Sequence, residues 1–74
     1  MALDIEIFGQ LLPGQPRRQT KEIGGSTPAR DVAMAIGLDL TDIGLVTIDG
    51  KQSGLDDFVK PDSRLCFFPY VTGG

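Results

Sequence analysis

The sequence predicts an α+β domain in which one short helix packs across one face of a mixed sheet of four to five strands. Three observations lead there. Residues 3 to 8, LDIEIF, alternate between two faces; residues 24 to 38, GGSTPARDVAMAIGL, switch to a helical period; and two more alternating runs follow, at 44 to 52 and 64 to 68.

The first strand places Leu3, Ile5 and Ile7 on one face and Asp4, Glu6 and Phe8 on the other, as a half-buried strand does. Gly9 to Pro16 (GQLLPGQP) holds two glycines and two prolines and reads as a turn. RRQTKEI is extended but poor in apolar residues, so it is expected at the sheet edge, with Arg17, Arg18 and Lys21 discouraging edge-to-edge association. In the helix, Thr27 is expected to cap the unpaired first-turn amides and Pro28 to take the first helical position. Ala29, Val32, Ala33 and Ile36 form the apolar stripe and Gly37 closes the element. GLVTIDGKQ is a third strand, with Val46 and Ile48 inward, running into an Asp49-Gly50 hairpin turn. An irregular GLDDFVKPDS segment, with room for a minor strand, leads to the last strand. There Leu65 and Phe67 share one face, Arg64, Cys66 and Phe68 the other, and Pro69, having no amide to donate, is expected to end the pairing.

At 74 residues the chain suffices for one small domain, which buries roughly 60% of its unfolded surface. A hydrophobic content of 41% with 23% charged residues is that of a soluble globule. No apolar stretch approaches the roughly 20 residues that span a bilayer, and Met1 to Gly9 carries acids where a signal peptide carries bases. A cytoplasmic location with no membrane partner is expected. Residues 1 to 69 are expected to form the folded domain and residues 70 to 74 a flexible tail.

What is missing narrows the chemistry. The chain has no histidine, and Cys66 is its single cysteine, so the commonest general base, an internal disulfide and multi-cysteine metal sites are all excluded. No metal site is expected. The net charge of −3 speaks against nucleic-acid binding, and a basic partner surface is the natural complement. GGST at 24 to 27 lacks the lysine of a phosphate-binding loop. Asp56 and Asp57 are adjacent and read as a solvated turn, and Cys66 has no histidine to activate it. The chain is therefore not expected to be an enzyme.

Two features remain. Phe8 and Phe68 fall on the strand faces opposite the inward residues. If the first and last strands are neighbours, their rings form an apolar patch near the departing tail, either a docking surface or the cover of a second minor core. The tail itself ends on Gly73-Gly74. From Tyr70 an extended chain reaches roughly 16 to 18 Å, and two residues without side chains fit a narrow channel in another protein. The terminal carboxyl is ionised at neutral pH and able to attack a nucleotide phosphate presented by a partner.

LVTIDGKQ…LDDFVKPDSRLCFFPYVTGG resembles the C-terminal half of the ubiquitin-like sulfur carriers, the family containing the small subunit of molybdopterin synthase and the thiamine-pathway carrier. Asp49-Gly50 matches the family's hairpin, Asp62 its turn, Leu65 to Phe68 its last strand and Gly73-Gly74 its end. Over residues 1 to 43 the similarity is one of element order. The resemblance implies a β-grasp (ubiquitin-like) fold and a mechanism. An adenylating enzyme resembling the ubiquitin-activating enzymes uses ATP to activate Gly74, and a sulfur donor then converts it to a thiocarboxylate. By this implication Gly74 carries the chemistry, Gly73 gives clearance, and Phe8, Phe68, Pro69 and Tyr70 dock and aim the tail. No cofactor is held by the domain itself, and a large synthase subunit is a further possible partner. Pro61 replaces the family's frequent glycine, and Tyr70 replaces a second proline common in molybdopterin carriers. FFPYVTGG nonetheless resembles the molybdopterin type more than the thiamine type. Carriage of sulfur to thiamine or another pathway, conjugation of Gly74 to lysines as a protein modifier, and a plain interaction domain with idle glycines stand as the alternatives.

Overall fold

The computed structural model describes residues 1–9, 11 and 14–70. Gly73 and Gly74 lie outside the described residues, as do Gln10, Leu12 and Pro13 of the first turn and Val71 and Thr72 of the tail. The elements are β1 (Ala2–Ile7), β2 (Arg18–Glu22), β3 (Thr27–Pro28), α1 (Ala29–Ala35), a 3₁₀ turn (Leu40–Asp42), β4 (Ile43–Ile48), β5 (Lys51–Ser53), β6 (Phe58–Val59) and β7 (Arg64–Pro69). Five strands form one sheet in the order β2-β1-β7-β4-β5, and β3 and β6 form a small separate ribbon. β1 runs parallel to β7 and antiparallel to β2, while β4 is antiparallel to both β5 and β7. The mixed sheet with one helix is the predicted class, and the predicted minor strand is β6.

The first and last strands are central neighbours, with Ile5 beside Leu65 and Ile7 beside Phe67. Their inward residues meet Ala29, Val32 and Ala33 of α1, and Leu3, Leu65, Phe67 and Val59 are fully buried. Side chains on one face of a strand recur every second residue, so this alternation fixes which face is covered.

The helix begins differently from the expectation. Thr27 does not cap it: its hydroxyl donates to the Gly25 carbonyl at 3.0 Å, and Thr27 and Pro28 pair as β3 with Val59 and Phe58. Pro28 is itself the cap position, without a side-chain cap bond. The first helical amides are satisfied from elsewhere, Ala29 N–H donating to the Asp57 carbonyl and Arg30 N–H to the Leu55 carbonyl, each at 2.9 Å. Arg30 also pairs with the exposed Asp56. A capping side chain is redundant where a neighbouring loop supplies acceptors.

Two turns follow the sequence closely. Asp49 (φ 52) and Gly50 (φ 83) both take positive φ between β4 and β5, as the tight hairpin requires. Before β7, Pro61 and Asp62 occupy the centre of a turn in which Asp62 has φ 73 and Ser63 N–H donates to the Lys60 carbonyl at 3.1 Å. The strand pairing ends at Pro69, as expected: Pro69 is the last residue of β7 and stands opposite Ile43, and beyond it Tyr70 N–H donates to the Asp42 carbonyl at 3.3 Å. Pro69 has no amide to give the ladder, and the register there is irregular between Ile43 and Leu45.

Candidate functional site

The face of the sheet turned away from α1 carries Asp4, Glu6 and Phe8 from the β1 end, Arg64, Cys66 and Phe68 from β7, and Leu45 and Thr47 from β4. Phe8 and Phe68 meet there. Their rings are stacked, 4.5 Å between centroids and 4° between planes, and the Arg17 guanidinium lies 5.4 Å from the Phe8 centroid. Both rings are half-buried. An arginine over an aromatic face is attracted by the ring quadrupole, so the stack is covered by a cation on one side. Leu45 stands opposite Phe68 on the neighbouring strand and extends the apolar surface.

The strand that carries Phe68 continues as Pro69 and Tyr70, the last described residues before the tail. Tyr70 is 63% exposed, two residues beyond Phe68. Two glycines hold this exit segment by close approach. A β-carbon on Gly44 would stand 2.8 Å from Tyr70 Cα and 2.9 Å from the Pro69 carbonyl oxygen. Gly9, at φ +67, lies against the Pro69 ring, where a β-carbon would come within 2.7 Å of Cγ. The end of the strand is thus flanked by two residues without side chains, Gly44 against the backbone of Pro69 and Tyr70 and Gly9 against the Pro69 ring.

Next to the stack the same face is polar. Glu6 is buried, with 7% of its surface exposed, and its carboxylate accepts from the Arg64 guanidinium and lies 3.9 Å from Arg18 Nε. That hydrogen bond first, and the carboxylate's charge second, raise the Arg64 pKa, so this cation does not titrate in the working range. The three residues, with Asp4, Gln19 and Thr20, line a groove of about 400 Å³. Cys66 sits between Glu6 and Thr47 in the strand pairing and is half-buried. Among the described residues there is no group of three or more metal-binding side chains and no helix long and apolar enough to cross a membrane. Beyond the GGST segment, the Ala29 and Arg30 amides are already bonded to the Asp57 and Leu55 carbonyls.

Of the residues singled out in the sequence, Phe8, Phe68, Pro69 and Tyr70 are brought together at the exit, whereas Gly73 and Gly74 fall outside the described residues. Arg17, Glu6, Arg64, Gly9 and Gly44 were not read as part of this surface. Gly44 carried a usable signal, since a glycine inside a strand pattern marks a bulge or a close backbone approach.

A mixed five-stranded sheet, with first and last strands parallel at its centre and one helix across it, defines a β-grasp, ubiquitin-like fold. Six solved chains match this one. Among them is the crystal structure of SAMP1 from Haloferax volcanii, with 20% identity, full coverage of both chains and a TM-score of 0.76. No protein-family model and no curated protein matches the sequence. At this identity the likeness carries the fold, and the function is argued from the residues.

Proposed function

We propose that the domain is a sulfur carrier, activated at Gly74 by a partner enzyme and converted there to a thiocarboxylate, serving molybdopterin synthesis. The observation that carries the reading is the stacked Phe8–Phe68 pair on the uncovered face, set on the strand that runs directly into the tail. A partner that seats this patch also meets the exit segment, where Gly9 and Gly44 lie close against Pro69 and Tyr70.

The chemistry belongs to the tail and its partner. The Gly74 carboxylate attacks the α-phosphorus of ATP and releases pyrophosphate, which turns a poor electrophile into an acyl adenylate. Sulfur at the sulfide level, from a donor, then displaces AMP and leaves a thiocarboxylate, a softer and stronger nucleophile than the carboxylate it replaces. The β-grasp body supplies recognition and no catalytic group, in keeping with the absence of histidine from the chain. A large synthase subunit would meet the same face.

Incubation with an activating enzyme of this class, ATP and a sulfur donor is expected to raise the intact mass by one oxygen-for-sulfur exchange. Deleting Gly74 should abolish the change without altering the fold. An unchanged mass with a demonstrably active partner overturns the reading, and reductant-resistant adducts on lysines would replace it with protein modification through the same carboxylate.

A further inference from the structure

We propose that β2 is a self-recognition edge through which two copies of this chain join their sheets, in a register selected by Arg18 and Glu22. β2 is the outermost strand of the five-stranded sheet, next to β1. Ile7 N–H donates to the Arg17 carbonyl and Ile23 N–H to the Met1 carbonyl, so the odd-numbered residues of this segment turn their backbone groups toward β1. In an antiparallel pair these orientations alternate, and the N–H and C=O groups of Arg18, Thr20 and Glu22 therefore point outward along the open edge. A second strand pairs with such a row through main-chain hydrogen bonds.

The side chains decide what that second strand is. Placed antiparallel to its own copy about Thr20, β2 sets Arg18 opposite Glu22 twice, Gln19 opposite Lys21 twice, and Thr20 opposite itself. No like charges face each other. The other registers that use the outward groups fail: centring on Gln19 puts Arg17 against Lys21 twice, centring on Lys21 puts Lys21 against itself, and centring on Arg18 or on Glu22 puts that residue against its own copy. Opposite charges across an antiparallel pair stabilise it and like charges destabilise it, so the edge is complementary to itself in one register. Arg18 and Glu22 have exposed side chains, 76% and 80%; the Glu22 pair with the Met1 amino group at 2.8 Å is a surface contact that yields readily, and Arg18 Nε stands 3.9 Å from the buried Glu6 carboxylate, which keeps its bond from Arg64. The basic run expected to keep this edge apart thus gives it a specific mate.

The two-fold axis of such a pair stands perpendicular to the sheet, so both uncovered faces lie on the same side. The two β7 strands, each ending at its own exit, are then five strand spacings apart, about 24 Å. This holds whether or not Gly74 is activated.

Sedimentation equilibrium on the full chain, from about 10 µM to about 1 mM, tests the proposal, since an interface of one short strand gives a weak dimer. The expected result is a reversible dimer that weakens in 1 M salt, where screening acts over about 3 Å. R18E alone and E22R alone should each weaken it roughly tenfold or more by facing like charges twice. An equimolar mixture of R18E and E22R, and the double variant R18E/E22R, should both recover the wild-type constant. A wild-type chain that stays monomeric to about 1 mM, a dimer indifferent to the single swaps, or swaps that are not rescued by mixing would each overturn it.

Discussion

Gly44 has no room for a side chain, because its α-carbon faces the backbone of Tyr70 and Pro69 at distances a β-carbon would bring to 2.8 and 2.9 Å. Backbone cannot swing aside as a side-chain end can. Gly44→Ala is expected to destabilise the fold by about 1–3 kcal/mol in denaturant unfolding and to displace the Tyr70 amide from Asp42. At the core, Phe67 is fully buried between the helix and the centre of the sheet, and Phe67→Ala should cost about 3–5 kcal/mol. The half-buried stack behaves differently. A double-mutant cycle with Phe8→Leu and Phe68→Leu should return a coupling of about 0.5–1.5 kcal/mol, and a value near zero would mean the rings touch without adding to stability. The stack was legible in the sequence, because strict alternation placed both rings on the outer face and only the adjacency of the strands had to be supplied. Glu6 was not. Its burial comes from Arg18 and Arg64, which reach it across two different strand pairings, and a period read along one strand says nothing about register with another.

At the level of elements, the turns were more legible than the helix start. Asp49-Gly50 announces positive φ through residue type alone and adopts it, while the turn at Asp62, which the family resemblance implied, places that residue at positive φ as well. Asp62 pays a steric penalty there that glycine does not, offset by glycine's greater freedom when unfolded. Asp62→Gly is therefore expected to stabilise by roughly 0.5 kcal/mol, read as a small rise in the thermal midpoint. Thr27 misled because the capping pattern is local, while the acceptors that serve α1 come from Leu55 and Asp57, more than twenty residues away. The 3₁₀ turn shows a true side-chain cap: Asp39 accepts from the Thr41 hydroxyl at 2.7 Å and from its amide at 2.9 Å. The hydroxyl first, then the amide, holds the Asp39 carboxyl below its ordinary pKa. A carboxyl lowered in the folded state adds stability that is present above its unfolded value and lost as the pH falls through the folded one. The thermal midpoint gap between wild type and Asp39→Ala should thus be constant above about pH 5 and narrow below about pH 4.

For the whole molecule, the sequence yielded the number of layers and the class of fold, because these follow from periods of two and of three to four. Strand order followed only in part, since it is decided by contacts far apart in sequence. The order matters beyond topology, because β1 and β7 are parallel neighbours at the centre of the sheet, holding the two ends of the described chain side by side along Asp4–Ile7 and Arg64–Phe67. A pull applied between the first residues and the tail therefore loads these strands lengthwise. Their hydrogen bonds must give way together, not open one by one from an end. Stretched between its termini in a single-molecule experiment, the domain should yield at a higher force than when it is gripped across the β4–β5 hairpin, whose bonds open in succession. A tail that serves as a handle would then be joined to the part of the body best able to withstand being drawn by it.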